Sequence, residues 1–529
     1  MKKTMKYFSM AALALVGAVM TSCSNSSDFE ETLTQPQPAS GDKVETLTAS
    51  VSMAGGETRA LTEGGVKTFA AGEKIAVVYK NTSGETVKAE SIALEAGDIT
   101  NEGKYADFTV TLTNADKTQN VTYIYPAAMA GEDGSVASIS EQNGTLESLA
   151  KDMDYCKFSG AWDGSDLPTG EMDNQLVICA FTLKDCLGTS DITSTITNMT
   201  VSDGTNTYNV TREAAAGPIY VAIYPTSSNN INYTATSSTK FYAKYVTSKT
   251  YAAGSWHNIG LKMAEVVSGK FTVNASGDKV FFSKGNLRAT TSNNGTNWTW
   301  SIATNQWDKV GAAAANTSIT ANKTVSTNGT VDLFGWSTSN TYLGINKTNN
   351  NNAEFVGDFV EWGSHADVTK NIGTGWRTLT GNEWYYLFMT RTTTSGKRFC
   401  KAKLFDTYFG VILLPDDWDD SYSLQHYNET AARNFDDTNI KNKISLEDWN
   451  TYFVPQGAVF LTCAGQRNGG NVVNAPNGQL HYWSSSKGDA DTGDGANANH
   501  MRIDGSVVYP NTGAGRCNGF AVRLVYPIK

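Results

Sequence analysis

The sequence predicts a mainly β protein, an N-terminal β-sandwich region followed by an α+β domain. Three observations predict it. Charged residues make up only 18% of the 529 while aromatics reach 11%, and 48 Gly stand against 11 Pro, the balance of a turn-rich β protein. Short segments that alternate polar and apolar residues recur from Thr46 onward between Gly, Asn and Asp clusters, the pattern of half-buried antiparallel strands. Helix-capping signals are confined to the second half of the chain. The length exceeds what one core supports and predicts about two to four domains.

The first element is an export signal. Lys2, Lys3 and Lys6 precede an apolar run from Met10 to Met20, then Thr21-Ser22-Cys23, so residues 1–22 read as a signal peptide rather than a membrane span. Cys23 directly after that run resembles the lipobox of bacterial lipoproteins, which implies an acylated thiol as the mature first residue. The following Ser24-Asn25-Ser26-Ser27-Asp28-Phe29-Glu30-Glu31 is similar to the acidic signal that sends Bacteroidetes lipoproteins to the outer face of the outer membrane. The alternatives are an ordinary cysteine and a merely soluble acidic linker. Residues 23–45, with Gln35-Pro36-Gln37-Pro38, carry no periodicity and read as a polar stalk.

Residues 46–265 form the predicted sandwich region, in one or two subdomains. Thr46 to Val51, Ile75 to Tyr79, Phe108 to Leu112 and Val121 to Tyr125 are its first strands; Leu176 to Leu183, Ile192 to Val201, Ile219 to Tyr224, Lys240 to Tyr245 and Trp256 to Lys262 follow. Glu57-Thr58-Arg59-Ala60, Phe69 to Val77, Tyr123 to Pro126 and Tyr251 to Trp256 resemble the fimbrillin-like lipoproteins of Bacteroidetes, whose members are shaft, anchor and tip subunits of surface pili. The resemblance implies assembly with other pilus subunits by β-strand addition, in which an extended strand joins an exposed sheet edge. It also implies a cut after Arg59, leaving Ala60 as the new start and discarding Cys23; otherwise Arg59 is a loop residue facing solvent.

Residues 267–529 shift toward Trp, Asn and Gly. Thr380-Gly381-Asn382-Glu383 spells a capping box, after which Trp384, Leu387 and Phe388 share a face. Ser445-Leu446-Glu447-Asp448 is a weaker version before Trp449 and Phe453. In order, Phe271-Thr272-Val273, Val280 to Leu287, Leu333 to Trp336, Gly375 to Thr380, Leu413 to Asp416, Gly457 to Leu461, Tyr482 to Ser486 and Gly519 to Val525 resemble the C-terminal domains of Bacteroidetes surface proteins with a C-type-lectin-like fold. Trp376, Leu379, Trp483, Phe520 and Val522 are expected in its core. Arg377 and Arg523, set in apolar strands, must each hold a carboxylate or a carbonyl if buried.

The binding face is expected on the Gly-rich loops between Gly465 and Cys517, with Arg467, Asn468, Asn471, His481, Tyr482, Asn499, His500, Arg502 and Tyr509 as candidate ligand residues. Their donors, acceptors and flat rings suit adaptable recognition, although turns also require Asn and Gly on their own account. Asp416, Asp417, Asp419 and Asp420 around Trp418 are either an exposed acidic turn or a calcium site, and no Glu-Pro-Asn or Gln-Pro-Asp sugar triad accompanies them. Cys156, Cys179, Cys186, Cys400, Cys463 and Cys517 are either buried thiols or bridged, with Cys463–Cys517 the pair to test. No spacing among the cysteines or the five His reads as a zinc site, and no cofactor is expected. The net charge of −10 argues against nucleic acid.

No catalytic constellation emerges, so the expectation is a non-enzymatic lipoprotein on the outer membrane or at a pilus. Its partners are the membrane through lipid, pilus subunits through strand addition, and a glycan or protein on a host or bacterial surface. Because the chain closes on a folded domain at Tyr526-Pro527-Ile528-Lys529, a tip-type adhesin is expected over a shaft subunit. A glycan-binding accessory lipoprotein and a pilus anchor are the alternatives.

Overall fold

The strand Val44–Met53 buries Ala49, Val51 and Met53 on one side and turns Thr46, Thr48 and Ser50 away, as its alternation requires. It belongs to a computed structural model that describes residues 41–53, 68–321, 323–346, 355–430, 434–473, 478–488, 497–504 and 507–529. The expected signal peptide, Cys23, Arg59 and Ala60 lie outside the described residues. Val44 to Lys529 form one compact unit. No described helix is long and apolar enough to cross a membrane.

Eight strands make the first sheet, in the order Thr86–Glu90, Ala76–Lys80, Val121–Tyr125, Cys156–Gly160, Gly170–Asn174, Val44–Met53, Tyr105–Thr113 and Ile99–Thr100. Gly170–Asn174 joins its halves, pairing antiparallel with Cys156–Gly160 and parallel with Val44–Met53. Phe69, Val77, Phe108, Val110, Tyr123, Tyr125 and Met172 fill the core between the halves. On the outer face the hydroxyls of Thr46 and Thr111 meet at 3.1 Å, a cross-strand polar pair.

A second sandwich follows. Ile219–Ile223, Val177–Lys184 and Trp256–Lys262 form one sheet; Ala264–Val266, Phe241–Tyr251, Thr226–Ser237, Ile196–Ser202, Thr207–Thr211 and Glu141–Gln142 form the other. Phe181, Val221, Met199, Val210 and Tyr233 meet between them. Val177–Lys184 runs parallel to Trp256–Lys262 and Thr207–Thr211 parallel to Glu141–Gln142, so the sheets are mixed where alternation predicted antiparallel ones. The longest strand, Thr226–Ser237, is almost entirely polar. Its buried face is Ile231, Tyr233, Ala235 and the polar Ser237, so it lacks the signature of an apolar run.

Among the described residues the rest of the chain is built from short strands and four brief α-helices, and it holds ten of the twelve tryptophans; only Trp162 and Trp256 come before residue 267. Phe271–Thr272, Lys279–Phe282, Leu524–Ile528 and Arg377–Thr378 form one sheet, which brings the two ends of this region side by side. Asn442–Ile444, Phe399–Leu404, Tyr408–Leu413 and Val459–Thr462 form another. Thr380 caps the helix Gly381–Tyr385 with the full reciprocal box, and Trp384, Leu387 and Phe388 are buried together. Ser445 caps Leu446–Asp448 by accepting from the Asp448 amide. Trp376, Leu379, Trp483, Phe520 and Val522 are all interior.

The expected division near residue 266 falls inside a packed junction. Ala243, Ala264 and Val266 share a hydrophobic cluster with Phe281 and Tyr526, and the pairs Phe241–Phe281 and Tyr245–Tyr526 lie at 5.4 and 5.6 Å. Glu265 receives Lys240 at 3.1 Å and Lys284 at 3.0 Å, and the Val267 amide donates to the Phe282 carbonyl. Gly373, at φ 78°, abuts Cys186, where an added Cβ would come within 2.8 Å of the Cys186 Cβ. The six described cysteines are thiols, so the Cys463–Cys517 bridge is not made.

Candidate functional site

Three strands, Gln479–Lys487, Asn497–Asp504 and Val507–Gly515, carry most of the expected ligand residues. Period-two alternation sorts them. Leu480, Tyr482, Met501, Ile503 and Val508 enter the core that holds Trp384 and Leu387. His481, Arg502 and Tyr509 occupy one row across the sheet, as do Trp483, His500 and Thr512.

Along this second face runs an aromatic stack. The His481 ring lies 4.5 Å from Phe520 and 5.4 Å from His500, and Trp483 closes on Phe520 at 4.4 Å. His481 Nε2 donates to Gln479 Oε1 and His500 Nδ1 to the Thr512 carbonyl, which sets both tautomers. Burial pushes His481 down to about 2, assisted by His500 and Arg502, and burial pushes His500 down to about 3. Both rings are therefore neutral at ordinary pH. The row reaches solvent at Arg502, whose guanidinium lies 5.3 Å from the ring of Tyr509, a residue 40% exposed. Arg502 also pairs with Asp504.

Four of the nine candidate ligand residues are thus interior, a correction to the expected loop face. Arg467 is fully buried; Nε and Nη2 donate to the Leu333 carbonyl at 3.0 and 2.9 Å and Nη1 to the Asn346 carbonyl at 3.1 Å. Desolvation lowers its guanidinium to about 9. Tyr482, likewise buried, accepts from the Thr462 amide. His481 and His500 belong to the stack. Asn468 and Asn471 face solvent on a small hairpin, Asn499 is half-buried, and Arg502 and Tyr509 complete the accessible set. A sequence search reads Gly-rich loops as exposed, but a loop folded inward must have its carbonyls satisfied, and arginines do that here.

Other arginines follow the same rule. Arg377 forks onto Glu383 at 2.6 and 2.7 Å, a carboxylate as expected. Arg523 is buried against the amide oxygens of Gln306 and Asn286. Arg391 and Arg516, not singled out in the sequence, are equally interior. Arg391 meets Asp416 at 2.9 Å and the Leu414 carbonyl at 2.8 Å; Arg516 holds the Phe355 and Gly357 carbonyls and lies over the Trp336 ring. Their only sequence signal is an arginine beside Gly or within a short polar turn.

The acidic turn around Trp418 divides by role. Asp416 points inward to Arg391 and accepts from the amide and hydroxyl of Thr272. Asp420 takes the Lys397 ammonium, Asp419 accepts from the Ser421 amide, and Asp417 is exposed. The carboxylates of Asp416, Asp419 and Asp420 have different partners, and among the described residues no three His, Cys, Asp or Glu are grouped to hold a metal ion.

No family model and no curated protein matches the chain. Among solved structures it is similar to a fimbrial assembly protein from Parabacteroides distasonis at 9% identity, covering 46% of this chain and 96% of that one with a TM-score of 0.26. It is also similar to the tip fimbrial protein of Porphyromonas gingivalis truncated at its C terminus, at 9% identity, 43% and 82% coverage and a TM-score of 0.19. Overlaps this shallow carry no argument about fold or function.

Proposed function

We propose that the chain is a non-enzymatic cell-surface lipoprotein adhesin of the pilus-tip type. Its fimbrillin-like sandwiches would connect a C-type-lectin-like domain to the fibre or the membrane. The observation that carries the reading is strand Leu524–Ile528, which is hydrogen-bonded on both sides, to Lys279–Phe282 and to Arg377–Thr378. A strand so held is part of the domain's own sheet and is not itself free to insert into a neighbouring subunit. The lipobox-like Cys23 and the sandwich architecture support display at the outer membrane. Ligand contact is assigned to the accessible residues Asn468, Asn471, Asn499, Arg502 and Tyr509, and the ligand is a glycan or protein of a host or bacterial surface.

The test uses the full chain displayed on cells. Arg502→Ala with Tyr509→Ala is expected to reduce attachment to host or bacterial surfaces while fibres still assemble. Attachment unchanged in the double variant would sink the binding face. A mature N terminus at Cys23 with lipid attached indicates a membrane-bound adhesin, whereas a start at Ala60 indicates a pilus subunit whose lipid was a delivery tag.

A further inference from the structure

On a different surface, the helical turn Leu446–Asp448 continues through Trp449–Phe453 and packs beside the turn around Trp418. The rings of Tyr422 and Tyr452 meet at 5.3 Å, and Tyr422 also touches Phe453 at 5.1 Å. Tyr452 is 37% exposed and the adjoining Val454 47%, an apolar surface. The Asp448 carboxylate borders it, and Asp419 lies on the adjoining turn. The Tyr422 hydroxyl donates to Asp448 at 3.4 Å, and Gln456 ties the Asp419 amide to the Ser421 hydroxyl and the Tyr452 carbonyl. Neither Asp419 nor Asp448 has an ion pair with a lysine, arginine or histidine among the described residues.

The neighbouring residues show what this combination holds. One position along the turn, Asp420 grips the Lys397 ammonium at 2.5 and 2.6 Å, and that ammonium sits 4.7 Å from the Tyr427 ring. A carboxylate and a tyrosine face together bind a cation there. Tyr422, Tyr452, Asp419 and Asp448 repeat the same chemistry at the surface, without a cation of the chain's own. An electron-rich ring face attracts an ammonium or guanidinium, and a carboxylate beside it adds a charge-assisted hydrogen bond.

We propose that this face docks an arginine- or lysine-bearing segment of a partner protein, with the cationic side chain over the Tyr452 ring and against Asp448 or Asp419. The site is separate from the Arg502–Tyr509 surface and stands or falls independently of it. Complementary charge and the exposed apolar rim suit a segment that carries a cation beside an aliphatic residue.

The probe is a labelled, acetylated hexa-arginine peptide titrated into the full chain at about 0.15 M salt, where screening beyond about 8 Å suppresses the pull of the bulk negative charge. Tyr452→Ala and Asp448→Asn are each expected to weaken binding about fivefold. Tyr452→Phe should retain it. Glu147→Gln and Glu213→Gln, exposed carboxylates elsewhere, should change it less than about twofold. Equal losses in the control variants, no loss in Tyr452→Ala, or equal binding of hexa-glutamine would each overturn the proposal.

Discussion

The two sandwiches before residue 267 and the domain after it solve the same burial problem by different means. In the sandwiches the buried polar side chains are neutral apart from Asp154, and a typical one is Gln142, which donates to the Ile139 and Ala222 carbonyls and accepts from the Ala222 amide. Past residue 267, Arg391, Arg467, Arg516 and Arg523 are interior, and Arg516 lies over the Trp336 ring. Regular sheets pair their own backbone, so their cores can be apolar. A domain of short strands and long loops leaves carbonyls inside, and a guanidinium with five donors satisfies several at once.

The sharpest way to break that comparison is to remove one pin from each side. Arg467→Met in the full chain is expected to cost about 3–5 kcal/mol, because it strands the Leu333 and Asn346 carbonyls in the interior. Gln142→Ala should cost less, about 1–3 kcal/mol, since the lost partners are neutral and fewer. Urea midpoints followed by tryptophan fluorescence check the first and by far-ultraviolet dichroism the second. Equal costs would remove the distinction between the regions.

Acid should separate the regions too. The folded His481 and His500 lie well below the usual imidazole range of about 6.5, so the unfolded chain binds protons that the folded domain refuses. Stability therefore falls as pH drops below about 6.5, by about 1.4 kcal/mol per pH unit for each ring, down to the depressed folded values. His481→Phe keeps an aromatic ring on Phe520 and is expected to halve this slope between about pH 6 and pH 4. An unchanged slope in urea titrations would mean that other groups control the acid limb.

Thr380→Ala, which removes half of the capping box, is expected to cost about 1 kcal/mol and to lower the thermal midpoint accordingly. Smallest of all, Thr46→Ala on the outer sheet of the first sandwich should cost less than about 0.5 kcal/mol, since its partner Thr111 can turn to water. A larger loss there would indicate that this face is not simply solvated.

Strands such as Phe108 to Leu112 and Trp256 to Lys262 were legible because alternation against a core is a local property. So was the capping box at Thr380, whose four residues satisfy one another. Thr226–Ser237 was not, because its burial depends on which sheet covers one face of a polar sequence. The candidate site was legible in composition and misleading in placement. The stretch from Gly465 to Cys517 is rich in donors, acceptors and flat rings, but whether Arg467, Tyr482, His481 or His500 faces water is decided by strand register and by the arrival of Phe520, Leu333 and Asn346 from elsewhere in the chain.

By itself the sequence determined the β-rich character, the positions of most sandwich strands, the capped helix starts at Thr380 and Ser445 and the aromatic residues of the core, all set by nearest neighbours and by periodicity. Only the tertiary structure decided the mixed strand directions, the packed junction at residue 266 and the division of arginines and histidines between interior and surface. Those depend on contacts between residues tens to hundreds of positions apart, and a single sequence encodes their outcome without displaying the partners.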